Sequence, residues 1–265
     1  MDEPIVDIVP ELLEAIQRDF QTACDAHVGI KDILQRIAGG TANQRDMHRY
    51  STMVGEVLAE VLKKHFQLSD MPDEKLWWNI AERTIKPMLV NNHSLVISAA
   101  ETVQKAIDKA EGIGLAPVKP KISGGRVKGI LEAATKEGIT QHQLTAVLDA
   151  PIVTISQSFY DDFIRENVRF REKAGMKPAV IRTLGGEGCA WCQNLKGIYV
   201  AGENDYPADL YRRHERCRCT VTFTSNRKNQ DVWSKAKWIT GEDREKAVAE
   251  AKRRTEEARK KKRRR

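Results

Sequence analysis

Cys189-Ala190-Trp191-Cys192, then Leu195-Lys196-Gly197, then His214-Glu215-Arg216-Cys217-Arg218-Cys219, form the stretch on which the reading of this chain turns. Four of the five cysteines fall within these 31 residues, and Cys24 stands alone near the start. A Cys-x2-Cys pair brings two thiols to one point through a tight turn, and a second donor group, His214, Cys217 and Cys219, follows after 21 intervening residues. Such donors at such spacing are those of a structural zinc ion. A tetrahedral ion takes four, so Cys189, Cys192 and His214 are expected to ligate together with either Cys217 or Cys219. If the chain runs extended from Cys217, then Cys217, Cys219, Val221 and Phe223 share one face by the period of two, and both thiols can turn to the ion. Four protein ligands leave no open position, so the ion is expected to staple a Gly-rich segment and to contribute its folding energy. A disulfide and unligated thiols are the competing readings, and an intracellular setting disfavours the first.

Outward from this cluster the texture is that of short strands. Val180 to Leu184, Ile198 to Val200 and Cys219 to Phe223 are β-branched or aromatic runs without helical period. The preceding sequence reads as helix after helix. Val54, Leu58, Val61 and Leu62 form one stripe, and Val96, Ala100, Val103, Ile107 and Ala110 form another. Ser69 to Asp73 reads as a turn before Trp77 and Trp78, two neighbours that cannot both face one core. Gly112, Gly114, Pro117, Pro120 and Ser123-Gly124-Gly125 interrupt helicity. Shorter helical pieces follow, then a longer one bearing Phe159, Phe163 and Phe170, with Asp161 and Asp162 expected on its solvated face and Asp161 paired with Arg165. The expected fold class is mainly α: a helical body over 1–177, a small α+β zinc-knuckle module over 178–240, and a charged helix and basic tail, helical or disordered, over 241–265. Trp233 and Trp238 would anchor the last helix.

The formal charge of +7 is unevenly placed. Lys252, Arg253, Arg254, Arg259, Lys260, Lys261, Lys262, Arg263, Arg264 and Arg265 stand against two glutamates in the final 14 residues, so the rest of the chain is near neutral. A tail of this kind suits phosphate neutralisation on double-stranded DNA, and it lacks the interleaved aromatics that stack on bases. With 41% hydrophobic and 31% charged residues, no apolar run of membrane-spanning length and no secretory signal at the start, a soluble cytoplasmic protein without a membrane partner is expected.

The order of the cluster resembles the phage Mu F-like head morphogenesis family of minor capsid proteins. There a Cys-x2-Cys pair, a Leu-x-Gly step and a closing His-x-x-Cys-Arg-Cys run mark a module on the C-terminal side of a long helical region. The likeness rests on about 40 residues; many members have proline after the motif histidine, where this chain has Glu215. The resemblance implies a virion component, made in the host cytoplasm and placed beside the portal, with portal and capsid proteins as partners and no small-molecule substrate.

The enzymatic competitor is a zinc-stapled nuclease of the His-Asn-His type or another zinc-stapled DNA-binding protein. Such a nuclease needs a histidine base and further ligands for a catalytic cation. The only histidine in the module is His214, already claimed by the cluster, and no Asp-His dipeptide occurs. Gly185-Gly186-Glu187-Gly188 and the Gly124 to Gly129 run lack the Lys-Ser/Thr ending of a phosphate loop. His27, His48, His65, His93 and His142 are read as surface or satisfied core residues, and Cys24 as a small buried hydrophobe. No catalytic residue is expected.

Overall fold

The computed structural model describes residues 7–202 and 206–225. The charged helix expected from 241, Trp233, Trp238 and the basic residues Lys252 to Arg265 lie outside the described residues.

α1 (Val9–Ala26) and α2 (Val28–Ala38) meet at His27, whose Nδ1 accepts from the Ile30 N–H at 3.2 Å and so caps the second helix. α3 (Gln44–His65) opens with a capping box: Asn43 Oδ1 accepts from the Arg45 and Asp46 amides, and the Asp46 carboxylate accepts from the Asn43 amide. Its stripe Val54, Leu58, Val61 and Leu62 is buried throughout, as the spacing predicts. The turn signal after it becomes two single 3-10 turns, Leu68–Asp70 and Pro72–Glu74. α4 (Trp78–Ala110) then continues through Pro87. Trp77 and Trp78 are each about two-fifths exposed; Lys75 Nζ lies 4.2 Å over the first ring, and the second donates Nε1 to Glu82 at 3.2 Å. At the end of α4 the apolar stripe fails, because Ala110 is exposed while Asp108 is buried against Arg171.

α5 (Gly124–Ala134) begins inside the stretch expected to interrupt helicity. Ser123 Oγ accepts from the Arg126 amide at 3.4 Å, and this cap outweighs the conformational cost of glycine at two first-turn positions. α6 (Gln141–Val147) and α7 (Ala150–Lys173) complete the body. α7 is its axis, packed by α3, α4, α5 and α6. Gly55 permits the closest approach: a Cβ there would stand 2.7 Å from Ser156 Cβ.

Enclosure of α7 overturns one expectation. Asp161 and Asp162 are 1% and 5% exposed, not solvated. Asp162 accepts from Arg126 and pairs with Arg165 at 3.0 Å, whereas Asp161 pairs with Arg213, 52 residues away. A carboxylate taken out of water stays ionised only against a cation, so each buried aspartate has acquired an arginine from another element or the adjacent turn.

β1 (Ala179–Thr183), α8 (Ala190–Leu195), β2 (Gly197–Val200) and β3 (Thr220–Thr224) follow. The strands form one antiparallel sheet in the order β2-β1-β3, with Val180 opposite Tyr199 on one side and Phe223 on the other. β3 starts at Thr220, later than the extended run expected from Cys217. The alternation nevertheless holds from Cys217 onward: Cys217, Cys219, Val221 and Phe223 are buried, and Arg218 is exposed. The last helix of the body ends at Lys173 and the first strand starts at Ala179, while the described residues up to Thr224 form one compact unit. Val180, Val221 and Phe223 share a core with the apolar residues of the helices. Among the described residues no helix is long and apolar enough to cross a membrane.

Candidate metal centre

Cys189 is the N-cap of α8, so the Cys-x2-Cys pair sits on the first turn of a short helix. Its sulfur accepts from the Cys192 amide at 3.4 Å, and the Cys192 and Trp191 amides hold its thiol below the usual cysteine range. Gly188, at φ 67°, turns the chain into this helix beneath the Leu184 side chain. Gly185 is pressed still closer: a Cβ there would lie 2.2 Å from Arg218 O. At Cys219 burial raises the thiol, but the Gly185 amide and the neighbouring Cys192 and Cys217 outweigh it and lower the pKa. The glycine run that failed as a phosphate loop is therefore the backbone that lets the two halves of the cluster meet.

All five sequence-predicted donors come together. They form two triads, Cys189, Cys192 and His214, and Cys192, Cys217 and Cys219, each with donor atoms within 4.8 Å of one another. His214 Nε2 lies 3.3 Å from Cys189 Sγ and 3.1 Å from Cys192 Sγ, and Cys192 Sγ lies 3.7 Å from Cys217 Sγ. Tetrahedral ligands at ordinary zinc bond lengths stand about 3.5 to 3.8 Å apart; the Cys192–Cys217 separation lies in that range, and the two His214 separations are shorter, at hydrogen-bond length. The His214 ring is oriented for the task. Nδ1 donates to Glu215 O at 2.7 Å, which leaves the Nε2 lone pair directed at the thiols. Trp191 packs edge-on against the same ring at 5.7 Å.

Cys192 is the shared corner and is nearly enclosed, and burial with Cys219 and Cys217 beside it pushes its thiol up to about 12. Three uncharged thiols could rest there; three thiolates could not without a cation. Arg182 on β1 supplies part of the compensation. Its guanidinium lies 4.0 Å from Cys192 Sγ, over the Trp191 ring, and is fixed by the carbonyls of Leu210 and Arg212. Three thiolates and one imidazole around a divalent ion would leave one negative charge in excess, which this arginine would offset. The cluster is thus able to hold a metal ion, and the donor chemistry suits a soft divalent one. Cys189 and His214 are exposed, Cys192, Cys217 and Cys219 buried, and a cleft of about 500 Å³ opens beside His214.

No family model, curated protein or solved structure matches the chain.

Several residues at this centre were not singled out by the sequence. Arg213 precedes His214 and is buried, bonded to Asp161, to Cys219 O and to His48 Nδ1. Since an arginine only donates, Nδ1 of His48 accepts, the ring proton is on Nε2, and it donates to Val221 O at 2.6 Å. Burial, with the Arg213 charge beside it, lowers this imidazole to about 4, so it is neutral. Gln44 reaches Phe223 O on β3, and Gln157 reaches Cys217 O in the segment that leads into it. The one available signal was polar residues recurring within a stripe of buried ones: Gln44, His48 and Ser51 are spaced at i, i+4 and i+7 on α3. The other histidines fall as read: His65 bonds Asp19 at 2.9 Å, His93 packs on Phe159 and His142 is exposed. Cys24 is only half-buried.

Proposed function

We propose that the cluster holds one structural zinc ion, and that the protein is a minor capsid component of a phage or prophage, acting in head morphogenesis beside the portal. The observation that carries the reading is the convergence of the first and last motif pieces. The Cys-x2-Cys turn and the His214 to Cys219 run meet around Cys192, and Leu195-Lys196-Gly197 leads from the end of α8 into β2 between them in sequence, at the C-terminal side of a helical body. Cys189, Cys192, His214 and one of Cys217 and Cys219 would be the ligands. Four protein ligands would leave the ion no position for water or substrate, which favours a structural over an enzymatic role. Portal and capsid proteins are the partners in this reading. Double-stranded DNA is a further one through Lys252 to Arg265, with the virion as final location after assembly in the host cytoplasm.

Two measurements test it. Elemental analysis of the purified chain should give about one zinc per molecule. Coexpression with a phage portal protein should yield a complex and, in a full head operon, particles that contain the chain. A metal-free chain overturns the zinc, absence from heads overturns the capsid role, and divalent-cation-dependent cutting of duplex DNA would replace it with the nuclease.

A further inference from the structure

The metal cluster and the helical body meet along one strip of backbone. From Cys217 to Phe223 every second residue is held by a side chain of α3 or α7, or by an arginine standing on α7. Gln157 Nε2 donates to Cys217 O at 3.2 Å, and Arg213 Nη1 donates to Cys219 O at 2.7 Å while its remaining nitrogens bond Asp161. His48 donates to Val221 O. Gln44 takes both polar groups of Phe223, donating to its oxygen at 3.0 Å and accepting from its amide at 2.7 Å. The periods explain the match. Four residues of helix rise about 6 Å and two residues of strand about 6.7 Å, so the i, i+4 pairs Gln44 with His48 and Gln157 with Asp161 keep step with alternate strand residues. Gln44, His48, Gln157 and Asp161 are all buried.

Cys217 and Cys219 therefore each place a sulfur in the donor cluster and a carbonyl on Gln157 of α7 or on Arg213, which is bonded to α7 through Asp161. We propose that metal binding and the docking of this strip on α3 and α7 are one thermodynamic step, with Arg213 as the positioning residue that sets the strip against the ligands. Arg213 adjoins His214, bonds Cys219 O, and keeps its charge through Asp161, whose attraction outweighs the cost of burying the guanidinium. The inference rests on the metal reading above. It adds that residues far along the strip govern affinity for the ion.

Coupling is reciprocal, which supplies the test. Gln44→Leu removes both bonds to Phe223 and touches no thiol or imidazole. In the full chain it should weaken zinc binding, measured by competition with a chromophoric chelator, by about 5- to 150-fold. Zinc should stabilise the variant less than the wild type by the same factor. Arg213→Lys keeps the charge against Asp161 but loses the fork across Asp161, His48 and Cys219, so it should weaken zinc binding with helicity retained. In the unaltered chain, zinc added to stripped protein should raise hydrogen-exchange protection along residues 44–58 and 152–164 as well as in the cluster. That measurement decides the matter if a variant does not fold. Zinc bound with no change in exchange along α3 and α7, or with wild-type affinity in folded Gln44→Leu, overturns the inference and leaves the zinc site standing. No zinc bound by the wild type overturns both.

Discussion

Cys192 belongs to both donor triads, whereas each of its four companions belongs to one. Its replacement should therefore be the most damaging: Cys192→Ser should lose zinc retention on gel filtration, while Cys189→Ser, altering an exposed donor with others nearby, should retain a weakened site. The cobalt-substituted chain reports this directly through its sulfur-to-metal charge-transfer bands. His48 makes a separate prediction. Its folded pKa of about 4 lies below the ordinary 6.5, so between those values the unfolded chain binds a proton that the folded chain refuses. Its contribution to stability is full above pH 6.5 and is lost as pH falls toward 4, by at most about 3 kcal/mol. Urea midpoints of His48→Gln should fall less steeply than those of the wild type across that window. The donors were legible because thiols at two-residue spacing have few other uses. His48 and Arg213 were not, because their roles come from meeting each other 165 residues apart.

At the level of elements, the apolar stripes and turn signals located most helices and all three strands, since period and punctuation are local properties. What they could not show is which helix would be enclosed. α7 carries Asp161, Asp162, Asn167 and Arg171 on buried ground, a pattern that looks solvent-facing until its neighbours are in place. Arg171 illustrates the cost of such burial. Fully buried, it donates from Nη2 to both Asp108 oxygens at 2.6 Å and lies 4.7 Å over the Phe223 ring. Arg171→Met should destabilise the chain by about 3 to 5 kcal/mol by leaving a buried carboxylate uncompensated, and adding Asp108→Leu should recover most of that loss in chemical denaturation. Gly55 is the steric counterpart. Gly55→Ala should push α3 from α7 and cost about 1 to 3 kcal/mol, although alanine is the better helix former.

For the molecule as a whole, the donor cluster and the excess positive charge lie in different stretches of the chain. The described residues form a core that reaches from α1 to β3, and the positive charge is concentrated in sequence beyond Lys252. Deleting 252–265 should abolish salt-sensitive retention on DNA and leave the melting curve of the body unchanged; retention that persists would place the contact elsewhere. The division of the chain by texture was readable, but the way the strand module completes the helical core was not, because its bonds to α3 span 173 and 179 residues. Those bonds have one more consequence. Gln44 and His48 occupy the outer rim of β3, where a strand would otherwise present bare amides and carbonyls to any passing chain. The two side chains thereby keep the sheet edge from templating further copies of the chain, and loss of both would open it to fibrous self-association.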